Sequence, residues 1–143
     1  MEVIFLKILV ASHGNFASGM KSSLNILLGK SDNVTVIDAY LDQGDLDEKL
    51  EDYFQSIPET EQVIMLSDLY GGSVNQKMCL HLTRPNTFLI AGVNLALVLE
   101  IALKTEPLSQ EQLEAIVKDS REALRIVEIA TQSVEEDDFF GGS

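Results

Sequence analysis

Near its beginning the chain reads Val3-Ile4-Phe5-Leu6-Lys7-Ile8-Leu9-Val10 and continues Ala11-Ser12-His13-Gly14-Asn15-Phe16. The first eight residues are almost continuously apolar and rich in β-branched side chains, which is typical of a strand that is covered on both faces. From Phe16 the period changes, because apolar residues recur every three or four positions as far as Leu28 and form one stripe of a helix. This strand, turn and helix predict the first unit of an α/β fold.

The same alternation continues along the chain. Shorter apolar runs predict strands at Val34–Ala39, Val63–Ser67 and Thr87–Ala91, and helices are predicted to begin near Leu46, Ser73, Leu95 and Ser109. A strand–helix pattern repeated four times is typical of a parallel sheet with helices on both faces. We therefore predict a single α/β domain over residues 1-130, with strand order 2-1-3-4. Residues 131-143 contain a run of four acidic residues and are predicted to form a flexible acidic tail.

The composition excludes several classes of function. Ten Lys and Arg against 23 Asp and Glu leave a formal net charge of −13. Such a surface repels phosphate backbones and anionic lipid, so we expect no nucleic-acid partner and no lipid-surface partner. Cys79 is the only cysteine, which permits no intrachain disulfide and fits a reducing compartment. Lys7 interrupts the first apolar run, unlike a secretory leader, so we expect a cytoplasmic protein.

Two loops hold the residues that are best suited to catalysis or ligand binding. In parallel sheets, ligands bind beyond the carboxyl ends of the strands, where the strand order reverses. The loop after the first strand carries His13 and then Gly14, whose missing side chain allows a tight turn. The loop after the third strand reads Ser67-Asp68-Leu69-Tyr70-Gly71-Gly72-Ser73. If strands one and three are neighbours, the two loops face each other across one crevice.

These residue types favour phosphoryl chemistry without a metal or another cofactor. A neutral imidazole such as that of His13 is a competent nucleophile, and attack on phosphorus leaves positive charge on the ring. Asp68 could accept a hydrogen bond from the other ring nitrogen, fix the tautomer and offset that charge. Gly71 and Gly72 would let backbone N–H groups approach a phosphoryl oxygen, and the Ser73 hydroxyl would add to this.

Simpler interpretations of the same residues stay open at this point. An isolated His after a strand is usually a surface or capping residue, Asp68 could be an N-cap, and Gly-rich turns open many helices. The loop after the first strand lacks the Gly-x-Gly-x-x-Gly of a dinucleotide-binding domain, and it has Ser12-His13 where a receiver domain would need acids. A histidine phosphatase usually has Arg before its His-Gly, where this chain has Ser12. This last difference favours a residue that stores and passes on phosphate over one that hydrolyses it.

Three segments carry a resemblance to a known family: Ile8-Leu9-Val10-Ala11-Ser12-His13-Gly14, Asp68-Leu69-Tyr70-Gly71-Gly72-Ser73 and Ile90-Ala91-Gly92-Val93-Asn94. From about Val3 to Ile129 the chain resembles the EIIA component of the mannose-type (mannose–fructose–sorbose) bacterial sugar phosphotransferase system. The resemblance implies that His13 is phosphorylated, at the ε2 nitrogen, that Asp68 orients the ring and that Ser73 contacts the phosphoryl group. One departure is Val74, where the family commonly has Pro after Gly-Gly-Ser.

The resemblance also implies partners. Phosphocarrier HPr would be the donor and a histidine of EIIB the acceptor, in indirect association with the membrane subunits EIIC and EIID. Phe16 and Leu69 are candidate apolar contacts for these proteins. A homodimer is implied in which a C-terminal strand crosses to the partner's sheet; Arg125–Ile129 alternates charged and apolar residues as such a strand would, although it could equally prolong the last helix.

The predicted function is therefore that of a phosphohistidine carrier, a phosphotransferase that accepts its phosphoryl group from HPr. One alternative is a non-catalytic regulatory module of the same fold. Another is the phosphotransfer subunit of dihydroxyacetone kinase, which usually has His-Ser and lacks the Tyr-Gly-Gly-Ser pattern. The transported sugar cannot be read from this sequence, because specificity lies mostly in the transport subunits.

Overall fold

The computed structural model describes residues 5–130, so the predicted acidic tail and the start of the predicted first strand lie outside the described residues. Within this range strands and helices alternate as predicted. The strands are β1 (Leu6–His13), β2 (Val34–Ala39), β3 (Gln62–Ser67) and β4 (Thr87–Ala91). The helices are α1 (Phe16–Leu28), α2 (Leu46–Gln55), α3 (Ser73–Cys79), α4 (Leu95–Ala102) and α5 (Gln110–Glu122), with a 3-10 turn at Leu80–Thr83 after α3.

The four strands form one parallel sheet in the order β2-β1-β3-β4, which confirms the predicted order. The register places Val10 of β1 between Val36 of β2 and Leu66 of β3. Strand order reverses between β1 and β3, so the loops that follow these two strands lie side by side at one edge of the sheet. The end of β2 lies at the same edge, on the other side of β1.

Hydrophobic cores lie on both faces of the sheet. Successive side chains of a strand point to opposite faces. Ile8 and Val10 accordingly pack with α1, α4 and α5, whereas Leu9 and Ala11 pack with α2 and α3. All six residues of β3 are buried. Burying a Leu or Ile side chain contributes about 1.5–3 kcal/mol, so the centre of the sheet is a rigid base for the loops at its edge.

The first strand is longer at its C-terminal end than the sequence predicts. We expected it to end at Val10 and His13 to lie on the following turn, but β1 continues to His13. The reason is pairing, since Ser12 lies opposite Asp38 and His13 opposite Ala39 of β2. The imidazole is therefore attached to a paired strand end and not to an irregular loop.

The last helix, α5, ends before the segment Arg125–Ile129. Helix α5 begins at the predicted place with a capping box, in which the Ser109 hydroxyl accepts from the Gln112 N–H at 3.1 Å and the Gln112 side chain accepts from the Ser109 N–H at 2.8 Å. It ends at Glu122, so Arg125–Ile129 does not prolong it. That segment forms no strand within the described chain, and its pairing with a second copy stays a prediction. No helix among residues 5–130 is long and apolar enough to cross a bilayer.

Candidate functional site

His13 and Asp68 meet at the edge where β1 and β3 end. The parallel register brings Ala11 opposite Ser67, and so the residues that follow come together although they are 55 positions apart. One carboxylate oxygen of Asp68, Oδ2, lies 2.9 Å from Nδ1 of the His13 ring. The same oxygen accepts the His13 backbone N–H at 2.8 Å. Asp68 therefore holds both the main chain and the ring of His13.

This pairing determines the state of both groups. A carboxylate oxygen is an acceptor, so the proton of a neutral ring lies on Nδ1 and the lone pair on Nε2. Partial burial raises the pKa of the Asp68 carboxyl, but the hydrogen bonds and charge of His13 outweigh it, and the net pKa lies below its ordinary value. Asp68 is thus an anion at neutral pH. Its side chain is only 14% exposed, whereas that of His13 is 44% exposed and open to an incoming protein.

The turn after His13 is held by Ser12, a role that the sequence did not predict. Its buried hydroxyl accepts the N–H of Ala17, in the first turn of α1, at 2.8 Å and donates to the Gly14 carbonyl at 3.1 Å. Gly14 has a φ of +59°, a conformation that favours glycine, and its N–H donates to the Ala39 carbonyl at 2.9 Å. These bonds tie the turn to both α1 and β2.

Ser73, at the start of α3, lies on the other side of the imidazole. Its hydroxyl oxygen is 3.3 Å from Nε2 of His13, the nitrogen that Asp68 leaves free. The neighbouring glycines shape the loop: Gly71 has a φ of +76°, and the N–H of Gly72 donates to the Leu69 carbonyl at 3.1 Å. A side chain at position 72 would come within 3.3 Å of that carbonyl oxygen. The structure thus brings His13, Asp68 and the Gly-Gly-Ser turn together.

Sequence reasoning missed Tyr40 at this site. Its hydroxyl lies 2.8 Å from the Ser73 hydroxyl, and its ring centroid is 5.3 Å from that of His13. Tyr40 follows β2 directly, and the end of β2 is at the same edge of the sheet as the ends of β1 and β3. Its place directly after a strand was the available signal, because the carboxyl ends of all parallel strands in a sheet lie at one edge.

Other candidate residues have structural roles or lie elsewhere. Asn94, from the third segment of the resemblance, accepts the Leu97 N–H at 2.9 Å and donates to the Ser120 carbonyl at 2.8 Å, so it caps α4 and joins it to α5. His81 stacks on the ring of Phe54 with centroids 4.6 Å apart. No group of three or more His, Cys, Asp or Glu side chains within residues 5–130 is arranged to hold a metal ion.

The geometry gives the site a definite chemical capacity. It presents an imidazole nitrogen with a lone pair on a partly exposed side chain, a half-buried carboxylate that can offset charge on the ring, and a hydroxyl beside that nitrogen. Such a set can accept and release an electrophilic group, and the absence of Lys or Arg from both loops leaves charge compensation to Asp68 and to hydrogen bonds.

Comparison with known proteins gives the same picture. Residues 7–121 match the mannose-type EIIA family model, described as the fructose IIA component of the phosphotransferase system. The fructose-specific EIIA component of Bacillus subtilis (strain 168) is 26% identical over 144 residues, which cover 93% of this chain and 99% of that protein.

Two solved structures extend the comparison to the fold. The IIA protein associated with the fucose utilization operon of Streptococcus pneumoniae has a TM-score of 0.74 at 26% identity, covering 88% of this chain and 96% of that one. The mannose/sorbose-specific IIA subunit of Enterococcus faecalis has a TM-score of 0.77 at 20% identity, covering 93% and 100%, and shows the same fold. Since the family model spans most of the sequence, this chain belongs to the mannose/fructose-type EIIA family of the phosphotransferase system.

Proposed function

We propose that this chain is a phosphoryl carrier that accepts its phosphoryl group from phospho-HPr on Nε2 of His13 and passes it to a histidine of EIIB. The observation that carries the proposal is that the two ring nitrogens of His13 have different surroundings. Nδ1 lies 2.9 Å from the Asp68 carboxylate, whereas Nε2 lies beside the Ser73 hydroxyl, and the His13 side chain is 44% exposed. A carrier needs this combination, because the nucleophile must be both oriented and reachable by two different proteins.

The transfer step is balanced without a metal or an added base. The lone pair of Nε2 attacks the phosphorus of the donor phosphohistidine and forms the new N–P bond. The old N–P bond breaks, and its electron pair returns to the ring nitrogen of the donor. The proton on Nδ1 stays hydrogen-bonded to Asp68. Transfer to EIIB repeats the same step with the present chain as donor.

Stabilisation of charge comes from groups that are already in place. The imidazole becomes cationic when it is phosphorylated, and the Asp68 carboxylate at Nδ1 compensates that charge. The Ser73 hydroxyl, 3.3 Å from Nε2, can donate to a phosphoryl oxygen bound there. Gly71 and Gly72 give the loop the shape that keeps Ser73 in this place. Catalysis is then mainly positioning and electrostatics, as phosphoryl transfer generally requires.

Apolar side chains around the imidazole are proposed to contact the partner proteins. Phe16 and Leu69 are 46% and 60% exposed and belong to the elements that follow β1 and β3. Their exposure on a strongly acidic chain suits docking that relies on local apolar contact. In the cytoplasm the phosphoryl group would pass through EIIB to a sugar during its transport by EIIC and EIID.

We also propose a homodimer formed by the segment Arg125–Ile129. The side chains of Ile126, Val127 and Ile129 are 87–91% exposed in the single chain, which is costly for three apolar residues. Among residues 5–130, strand β4 pairs with β3 alone, and a groove of about 760 Å³ runs beside it between α3, α4 and α5. An unpaired strand edge beside an apolar groove suits an added strand from a second copy. On this proposal residues 1-130 are the phosphotransfer domain and 131-143 a tail.

The carrier proposal is tested by phosphorylation in vitro. The wild-type chain is incubated with phosphoenolpyruvate and the general components of the phosphotransferase system, and its intact mass is measured before and after acid treatment. We expect one acid-labile phosphoryl group on the wild type and none on His13→Ala. His81→Gln is the matched control, since His81 is the other histidine and should leave the adduct unchanged.

Three results would contradict the carrier proposal. They are an absent adduct on the wild type, an adduct on His13→Ala, and release of inorganic phosphate without any acceptor protein, which would indicate a hydrolase. The dimer has a separate test, because the molar mass in solution can be measured for the full chain and for a chain that ends at Leu124. A dimer for the first and a monomer for the second is expected, and the same oligomeric state for both chains would refute the role of Arg125–Ile129.

A further inference from the structure

Tyr40 and Ser73 form a contact that the proposed transfer does not yet use. The two hydroxyl oxygens are 2.8 Å apart, the usual distance for a hydrogen bond between hydroxyls, and the residues are 33 positions apart in the sequence. The Ser73 oxygen is also 3.3 Å from Nε2 of His13. A continuous chain of polar atoms therefore runs from the phenol of Tyr40 through Ser73 to the nucleophilic nitrogen.

The direction of these hydrogen bonds follows from Asp68. Because Asp68 accepts the Nδ1 proton, Nε2 of the neutral ring has a lone pair and can only accept. Ser73 has a single proton, and the contact with Nε2 is favourable only when Ser73 donates it there. The contact between Tyr40 and Ser73 must then be supplied by the proton of Tyr40. The chain of donors runs from Tyr40 to Ser73 to His13.

The backbone of Tyr40 has a strained conformation, which indicates a functional role for this position. Its φ is +68°, a left-handed conformation that is costly for a bulky side chain and is commonest at functional sites. The residue before it, Ala39, accepts the Gly14 N–H at 2.9 Å, so the end of β2 is bound to the turn that follows His13. The phenol ring therefore lies beside the imidazole, and about half of the Tyr40 side chain stays exposed.

We propose that Tyr40 is a positioning residue for phosphoryl transfer. It donates a hydrogen bond to the Ser73 oxygen, and this directs the Ser73 O–H toward Nε2 before transfer and toward the phosphoryl oxygen after it. The inference rests on the proposed function of His13 as the phosphoryl acceptor. Hydrogen bonds in a chain polarise one another, so a Ser73 hydroxyl that accepts from Tyr40 is a stronger donor. Neither residue gains or loses a proton when the group moves from the donor nitrogen to Nε2.

A double-mutant cycle tests this role. The variants are Tyr40→Phe, Ser73→Ala and the two combined, with Tyr53→Phe as the matched control, because Tyr53 lies on α2 and its hydroxyl has no hydrogen-bond partner among the described residues. The measured quantity is the rate of single-turnover transfer from phospho-HPr as a function of donor concentration. Thermal unfolding of each variant checks that the fold is kept.

We expect Tyr40→Phe to lower the maximal rate about 2- to 12-fold, the effect of one neutral hydrogen bond, without a change in the half-saturating donor concentration. In the Ser73→Ala background the same change should have no effect, because the group that Tyr40 acts on is gone. Tyr53→Phe should transfer at the wild-type rate.

Several outcomes would overturn the role of Tyr40 alone. They are an unchanged maximal rate in Tyr40→Phe, an equal loss with and without Ser73, or an effect confined to the half-saturating concentration, which would indicate a docking contact. A wild-type chain that takes no phosphoryl group at all would instead overturn the proposed function, and this inference with it. The two failures are therefore distinguishable in one set of measurements.

Discussion

Replacement of Asp68 by Asn tests how much the carboxylate contributes to transfer. Asn has nearly the same shape as Asp, and its oxygen can still accept both bonds that Asp68 Oδ2 now accepts, from the His13 N–H at 2.8 Å and from Nδ1 at 2.9 Å. It has no negative charge, so it cannot compensate the cation that forms on the imidazole. The expected result is slower transfer with an intact fold.

The size of the effect follows from the loss of charge on the acceptor. A hydrogen bond to a charged group contributes about 1.5–3 kcal/mol and one between neutral groups about 0.5–1.5 kcal/mol, so about 1–1.5 kcal/mol is lost. Since about 1.36 kcal/mol corresponds to a factor of ten in rate, Asp68→Asn should slow transfer about 5- to 13-fold. The His13 side chain is 44% exposed, and solvent screening favours the lower part of this range.

The assay is single-turnover phosphorylation by phospho-HPr at saturating concentration. Asp45→Asn is the matched control, because it removes one negative charge near the same edge of the sheet while Asn remains as good an N-cap for α2 as Asp. The control should transfer at the wild-type rate. Wild-type transfer by Asp68→Asn, or equal losses in the two variants, would refute a specific role for the Asp68 charge.

Three further predictions concern stability. The lowered pKa of Asp68 stabilises the fold above the unfolded-state value of about 3.9, so the difference in unfolding free energy between wild type and Asp68→Asn should shrink as pH falls below about 4; a difference that grows in acid would contradict this sign. Ser12→Ala should lower the free energy of unfolding by about 1–3 kcal/mol in urea, because the buried Ala17 N–H loses its acceptor; Ser18→Ala, which loses one exposed bond, should cost less. Tyr53→Phe should raise the unfolding free energy by up to about 1 kcal/mol, because the buried hydroxyl has no hydrogen-bond partner among the described residues and burial raises the pKa of this phenol. A clear loss of unfolding free energy would show that the Tyr53 hydroxyl does form a hydrogen bond.

The fold was predictable from the sequence because its signals are local. The apolar run 63–66 within β3 predicts a strand that is buried on both faces, and all six residues of β3 are buried. The three- and four-residue spacing after Phe16 predicts α1, which runs from Phe16 to Leu28 as expected. The alternation of such elements then leaves few arrangements other than a parallel sheet, and the order β2-β1-β3-β4 was found.

Part of the site was predictable for the same reason. His13 is the last residue of β1 and Asp68 directly follows β3, and the carboxyl ends of neighbouring parallel strands meet at one edge of a sheet. Their hydrogen bond at 2.9 Å is what that placement predicts. Ser73 could be placed as well, because the glycines before it indicate the turn into α3.

The remaining features depend on long-range pairing that no local pattern reports. Strand β1 extends to His13 because β2 pairs with it as far as Ala39, and the sequence of β1 alone contains no sign of that. Tyr40 reaches the site through a left-handed backbone and a hydrogen bond to a residue 33 positions away. A bulky residue is rarely expected in that conformation, so the sequence predicts the loop but not the direction of its side chain.

Identification of the phosphorylated ring nitrogen is the sharpest test of whether Asp68 directs phosphoryl transfer to Nε2 of His13. The phosphorylated chain, with its imidazole labelled with ¹⁵N, is studied by ¹⁵N and ³¹P NMR, and the coupling shows which nitrogen of His13 is bonded to phosphorus. Because Asp68 engages Nδ1 at 2.9 Å and leaves Nε2 free, the phosphoryl group should be found on Nε2. A phosphoryl group on Nδ1, or on any residue other than His13, would contradict the account.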